Sequence, residues 1–151
     1  AATGVLPITD ARMTRFMITL PQAVDLVWHA FDDMEGGEIY VKKIPSMKVT
    51  DIAKAINPHA KQEIIGIRPG EKIHEQMIGF EDAITTFEYD HHYKILPSIH
   101  DWSKDKLRIK DGKKVDPDFI YSSANNNEWM TIEELQKWIN SQDKLNQILK
   151  I

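Results

Sequence analysis

The chain has 151 residues, 42% of them hydrophobic and 28% charged, with a formal net charge of -4 and no cysteine. That length can bury one full-sized core, so a single region spanning residues 1–151 is expected. The charge balance leaves no basic excess for a polyanionic backbone, which argues against a nucleic-acid partner, and the absence of cysteine excludes disulfides, thiol nucleophiles and cysteine-based zinc sites. No apolar run approaches the roughly 18 residues needed to span a bilayer, and "AATGVLPITD" lacks the regions of a signal peptide, so a cytoplasmic protein is expected. The opening Ala-Ala-Thr-Gly is unlike a natural start and suggests a fragment.

"LPIT", Leu6 to Thr9, has strand character and leads into the polar "DARMTRF". A helix follows, with Thr19 as cap, Gln22 three residues on, Pro21 in the first turn and Gly36-Gly37 as the stop. Leu20, Ala23, Val24, Val27, Trp28 and Phe31 fall on one face of it, which predicts packing against something large. Glu38 to Ile44 is a predicted strand, and "SMKVTDIAKAINP" a short helix with Val49, Ile52, Ala53 and Ile56 inward. The strand "QEIIGI" then delivers Arg68 into a Pro-Gly turn, with a Glu-rich helical start expected directly after. Strands alternating with helices predict an α/β arrangement. Beyond it, "ITTFEYD" and "YKIL" suggest short strands, "LRIKDGKKV" a hairpin closed at Asp111-Gly112, and "FIYSSANNNEW" an irregular polar stretch. Thr131 with Glu134 caps a last helix whose Ile132, Leu135, Trp138 and Ile139 share one side; Trp28 and Trp138 are both expected to pack in the interior.

The glycines form no dinucleotide-binding turn, no tyrosine is followed by lysine four residues later, and neither a P-loop nor a nucleophile elbow is present. Adjacent His91 and His92 would point to opposite faces of a strand, and no metal site is expected. The arginines say more. Only Arg12, Arg15, Arg68 and Arg108 occur among 19 basic residues, and three of them lie in "DARMTRF" and "RPGE". Arginine forks for phosphate oxygens and a carboxylate for ribose hydroxyls would suit a sugar nucleotide; surface pairing of Arg68 with Glu71 is the alternative.

Taken together, "LPITDARMTRFMITLPQAV", "GGEIYVKKIPSMKVTDIAKAI", "IIGIRPGEKIHEQMI" and "DPDFIYSSANNNEWMTIEEL" resemble the C-terminal part of the inverting UDP-N-acetylglucosamine 4,6-dehydratases, extended short-chain dehydrogenases of bacterial flagellin glycosylation and capsule synthesis. The resemblance implies an α/β fold, the C-terminal substrate-binding portion with the last strands and helix of a Rossmann-type sheet. It also implies an NAD(P)-dependent lyase, with the cofactor and the catalytic tyrosine and lysine carried by an N-terminal domain absent from these residues. Such a chain is inactive alone, and the whole enzyme is a homo-oligomer. By the same resemblance Arg68 binds the diphosphate of the UDP-sugar, Glu71 the ribose and Arg12 a second phosphate position, with Arg15 a further candidate. Leu6, Pro7, Ile8 and Thr9 would run beside the uracil. A stand-alone nucleotide-sugar-binding or interaction module is the other function class.

Overall fold

The computed structural model describes residues 4–99, 101–102 and 104–149, so the unusual opening Ala-Ala-Thr lies outside the described residues. In chain order the first half contains β1 (Val5–Ile8), β2 (Thr14–Phe16), α1 (Leu20–Asp33), β3 (Ile39–Lys42), β4 (Ser46–Lys48), α2 (Val49–Ile56) and β5 (Lys61–Ile64). The second half contains β6 (Gln76–Ile78), α3 (Phe80–Ala83), β7 (Thr86–Glu88), β8 (His92–Ile95), α4 (Lys106–Ile109), β9 (Lys113–Lys114), β10 (Tyr121–Ser122) and α5 (Ile132–Leu149). Among the described residues no helix is long and apolar enough to cross a membrane. The chain divides into two compact units.

The first unit collects residues 4–17, 45–75 and 126–149. Strands β1 and β5 pair in parallel, from Val5 opposite Lys61 to Ile8 opposite Ile64. Strands β2 and β4 pair antiparallel, from Thr14 opposite Lys48 to Phe16 opposite Ser46. "DARMTRF" and "SMK", read from sequence as a polar lead-in and a helix start, therefore each supply a strand. In the core Met47, Ala55 and Leu135 are buried together, and Met17, Ile52, Met130, Ile132, Trp138 and Ile139 pack around them. In α2 it is Ala55 that turns inward beside Ala53, while Ile56, expected inside, is 61% exposed. Helix α5 begins as its sequence predicts: Thr131 N–H donates to the Glu134 carboxylate at 2.7 Å, and Glu134 N–H to Thr131 Oγ1 at 3.2 Å.

The second unit collects residues 18–44 and 76–125. Its sheet has the order β3-β8-β7-β9, antiparallel throughout. "LRIKDGKKV" is not a hairpin. Asp105 caps α4 by accepting the N–H groups of Leu107 at 2.9 Å and Arg108 at 3.3 Å, and the following β9 pairs with β7 instead. A Cβ at Gly112 would come within 2.4 Å of the Tyr89 ring, so a larger residue there would displace that ring and its 2.7 Å bond to Ile109 O. Short β10, in a stretch expected to be irregular, pairs antiparallel with β6. Tyr121 buries its ring in this unit and closes on Ile44, accepting its N–H at 2.9 Å and donating to its carbonyl at 3.1 Å. Helix α1 carries the predicted cap, with both halves of the Thr19–Gln22 box formed. Its apolar face is largely exposed among the described residues: Leu20 is 78% exposed, Trp28 65% and Phe31 66%. Trp28 is thus no interior residue here, in contrast to Trp138.

Candidate functional site

Strands β1 and β5 end side by side, and Ile65 N–H extends their pairing by donating to Ile8 O at 2.9 Å. Open α/β sheets offer ligands the space beyond the carboxyl ends of parallel strands. The residues singled out by sequence all lie in this first unit. Leu6, Pro7 and Ile8 form β1, with Ile8 buried and Pro7 exposed, and Thr9 follows directly. Among the described residues, β5 is the strand that pairs with β1.

Past β5 the chain makes an exposed excursion with glycine at each bend: φ is 88° at Gly66 and 84° at Gly70, where a side chain would be strained. Arg68-Pro69-Gly70-Glu71 is a type II turn, with proline and a positive-φ glycine at its centre and Glu71 N–H donating to Arg68 O at 3.1 Å. The Glu71 carboxylate closes the turn from the other side, accepting Arg68 N–H at 3.0 Å. Glu71 therefore holds the backbone of Arg68. Its guanidinium stays exposed and, among the described residues, enters no ion pair.

The other two arginines are engaged. Arg12 grips Asp10 through Nε at 3.0 Å and a second nitrogen at 2.7 Å, and its own N–H adds a third bond at 2.8 Å. These bonds hold the Asp10 carboxyl at about 2, well below the usual range. The pair is exposed on the arginine side, so water or a ligand can compete for it. Arg15 sends its nitrogens to the carbonyls of Thr14 at 2.7 Å, Ile73 at 3.1 Å and Lys72 at 3.1 Å, and faces Glu75 at 3.5 Å. No helix follows the turn, contrary to the sequence expectation, because the carbonyls that would propagate it are bonded elsewhere: Ile73 O also accepts Thr14 N–H at 3.1 Å. His74, which sequence reasoning passed over, places Nδ1 2.8 Å from Thr14 Oγ1. Its neighbours in "RPGEKIHE" flagged the region, but a partner 60 residues away leaves no local signal.

The second unit has a cleft of about 740 Å³ that includes none of these residues; His29, Asp33, Lys42, Tyr89, His92 and Lys110 are among its walls. Its charges largely satisfy one another. Burial opposes ionisation of Asp33, yet bonds from Lys110, Lys94 and Tyr40 outweigh it and hold the carboxyl below its ordinary range. Burial, with His29 and Lys94 adding repulsion, pushes His92 down to about 4. Among the described residues no group of three histidine or acidic side chains could hold a metal ion.

A dinucleotide would need a strand, a glycine turn and a helix N-terminus facing its pyrophosphate. The described residues do not fit it. Strand β4 runs into α2 through Lys48 with no glycine between, and the first N–H groups of α1 meet their own Thr19–Gln22 cap. No step involving a nicotinamide is assigned to these residues.

Residues 1–97 match the family described as polysaccharide biosynthesis protein. The chain is 49% identical over 141 residues to the inverting UDP-N-acetylglucosamine 4,6-dehydratase of Campylobacter jejuni, covering 89% of this chain and 42% of that protein. It is 33% identical over 150 residues to a UDP-glucose 4-epimerase of Rickettsia conorii, covering 97% and 44% respectively. The chain thus spans less than half the length of these curated relatives. In structure it resembles Pen from Bacillus thuringiensis with a TM-score of 0.73 at 28% identity, over 93% of this chain and 41% of that one. The fold is accordingly mixed α/β, the C-terminal portion of an extended short-chain dehydrogenase. With a family match over 97 of 151 residues and the same fold in a solved relative, the chain belongs to the polysaccharide biosynthesis protein family.

Proposed function

We propose that the chain is the UDP-sugar-binding part of an inverting UDP-N-acetylglucosamine 4,6-dehydratase in bacterial surface-glycan or flagellin-sugar synthesis. The Arg68 guanidinium carries this reading. It is exposed and without an ion-pair partner among the described residues, on a turn beyond the carboxyl ends of two parallel strands. A planar fork so placed suits paired diphosphate oxygens.

The companions follow from chemistry. A carboxylate has about four lone-pair sites, so Glu71 can accept ribose hydroxyls while keeping its bond to Arg68 N–H. Arg12 would exchange part of its exposed pairing with Asp10 for a second phosphate contact. Leu6 to Ile8 of β1, and Thr9 beside them, would meet the uracil through backbone groups. The two relatives are named for different sugars on one nucleotide, UDP, and UDP is the half these residues would bind. NAD(P) and the catalytic groups would come from residues outside this chain, in a cytoplasmic homo-oligomer. The lack of a fitting cofactor cradle among the described residues also suits a binding module without chemistry, which an activity assay of the whole protein distinguishes.

In the full-length protein containing this chain, Arg68→Ala should raise the dissociation constant for UDP roughly ten- to hundred-fold, the loss of one charge-assisted contact. Titration calorimetry reads it directly. Unchanged affinity in both Arg68→Ala and Arg12→Ala would sink the assignment.

A further inference from the structure

We infer that Arg15 is a positioning residue for the Arg68 turn, a role that rests on the UDP reading of that turn. Between β5 and β6 the chain has neither helix nor strand, and residues 64–70 are exposed. An exposed loop with glycines at both bends gains little rigidity from packing, so its anchors decide where Arg68 stands. One anchor is the β1–β5 pairing, which ends with the Ile65 to Ile8 bond of 2.9 Å. The other is Arg15.

A single guanidinium gathers the far end of the loop. One terminal nitrogen donates to Thr14 O at 2.7 Å and Ile73 O at 3.1 Å; the other donates to Lys72 O at 3.1 Å and lies 3.8 Å from Met13 Sδ; Nε faces Glu75 at 3.5 Å. Thr14 reinforces the clamp through its N–H to Ile73 O and its hydroxyl to His74. The clamp is rooted, because Thr14 and Arg15 lie on β2, paired to β4, whose Met47 is 1% exposed in the core. Lys72 directly follows Glu71, and the Glu71 carboxylate holds Arg68 N–H. Arg15 thereby reaches Arg68 through three covalently consecutive or hydrogen-bonded steps. With its donors so committed, it acts on a ligand through the turn rather than by gripping phosphate itself. Only a planar fork can serve these carbonyls at once; a lysine ammonium keeps the charge but not the geometry.

The test uses UDP titration of the full-length protein carrying Arg15→Ala, Arg15→Lys, Arg68→Ala, or Arg15→Ala with Arg68→Ala. Each Arg15 variant should weaken UDP about tenfold, and the double variant should lose less than the product of the two single losses, since a misplaced guanidinium has nothing left to lose once removed. Amide exchange over residues 66–75 should quicken in Arg15→Lys while the β1–β5 amides keep their protection. Wild-type affinity in Arg15→Lys, or losses that multiply in the double variant, would mean a direct charge contact and overturn the proposal. If Arg15→Ala does not fold, the lysine variant and its exchange pattern decide alone. The UDP reading fails separately, through unchanged affinity in Arg68→Ala.

Discussion

Arg68 and Arg15 carry the same fork at opposite ends of one exposed loop, and their surroundings give them opposite tasks. Arg15 is spent on carbonyls, whereas Arg68 has its backbone fixed and its guanidinium unpaired among the described residues. Both were legible as arginines in telling motifs; which one is committed was not, because Lys72 and Ile73 lie 57 and 58 residues from Arg15 in sequence. Glu71 makes a sharper test of the ribose contact. Glu71→Gln should weaken UDP more than it weakens a UDP analogue lacking both ribose hydroxyls, and equal losses for the two would remove the ribose role. His92 is the residue for pH. It is 9% exposed, stacked on Tyr89 at 4.6 Å and against His29 at 4.6 Å, with no hydrogen-bond partner for Nε2 among the described residues. Its pKa falls from the ordinary 6.5 to about 4 on folding, so between those values the unfolded chain binds more protons and stability rises with pH. The contribution is complete above pH 6.5 and disappears as pH drops to 4, up to about 3 kcal/mol. Urea unfolding at pH 7 and pH 5 should show this loss in the wild type and a smaller one in His92→Phe; equal pH dependence in both would exclude His92 as its source.

Elements were most readable where the signal is local. The caps of α1 and α5 depend on residues three apart, and both form as their sequences predict. The apolar stripe of α1 was readable as periodicity, but periodicity does not say what covers it, and among the described residues nothing buries Leu20, Trp28 or Phe31. The expected helix after Arg68 failed for a tertiary reason, the capture of its carbonyls by β2 residues. These differences give a graded stability prediction. Leu135→Ala, which empties part of a core with Met47 and Ala55, should cost about 2–5 kcal/mol. Thr19→Ala, which removes a cap on a largely exposed helix, should cost about 1 kcal/mol. Denaturant midpoints check the ranking, and a larger effect at Thr19 than at Leu135 would contradict it.

At the scale of the whole molecule, the chain offers binding groups without a fitting dinucleotide cradle among its described residues. The purified 151-residue chain, given UDP-N-acetylglucosamine and NADP, should therefore show no loss of water from the sugar by mass spectrometry. Turnover near that of an intact homologue would refute the division of labour proposed here. The sequence by itself determined the α/β character, the capped helices, the β1 and β5 strands and the family, because these follow from short-range patterns and from motifs a few residues long. Only the tertiary structure decided that residues 4–17, 45–75 and 126–149 share one unit, that Arg15 clamps the loop while Arg68 keeps its guanidinium clear of ion pairs among the described residues, and that Tyr121 closes on Ile44. Each of these joins residues far apart in the chain, and the free energy of such a contact is set by the burial and hydrogen-bond competition around both partners, which neither partner's own neighbours in sequence reveal.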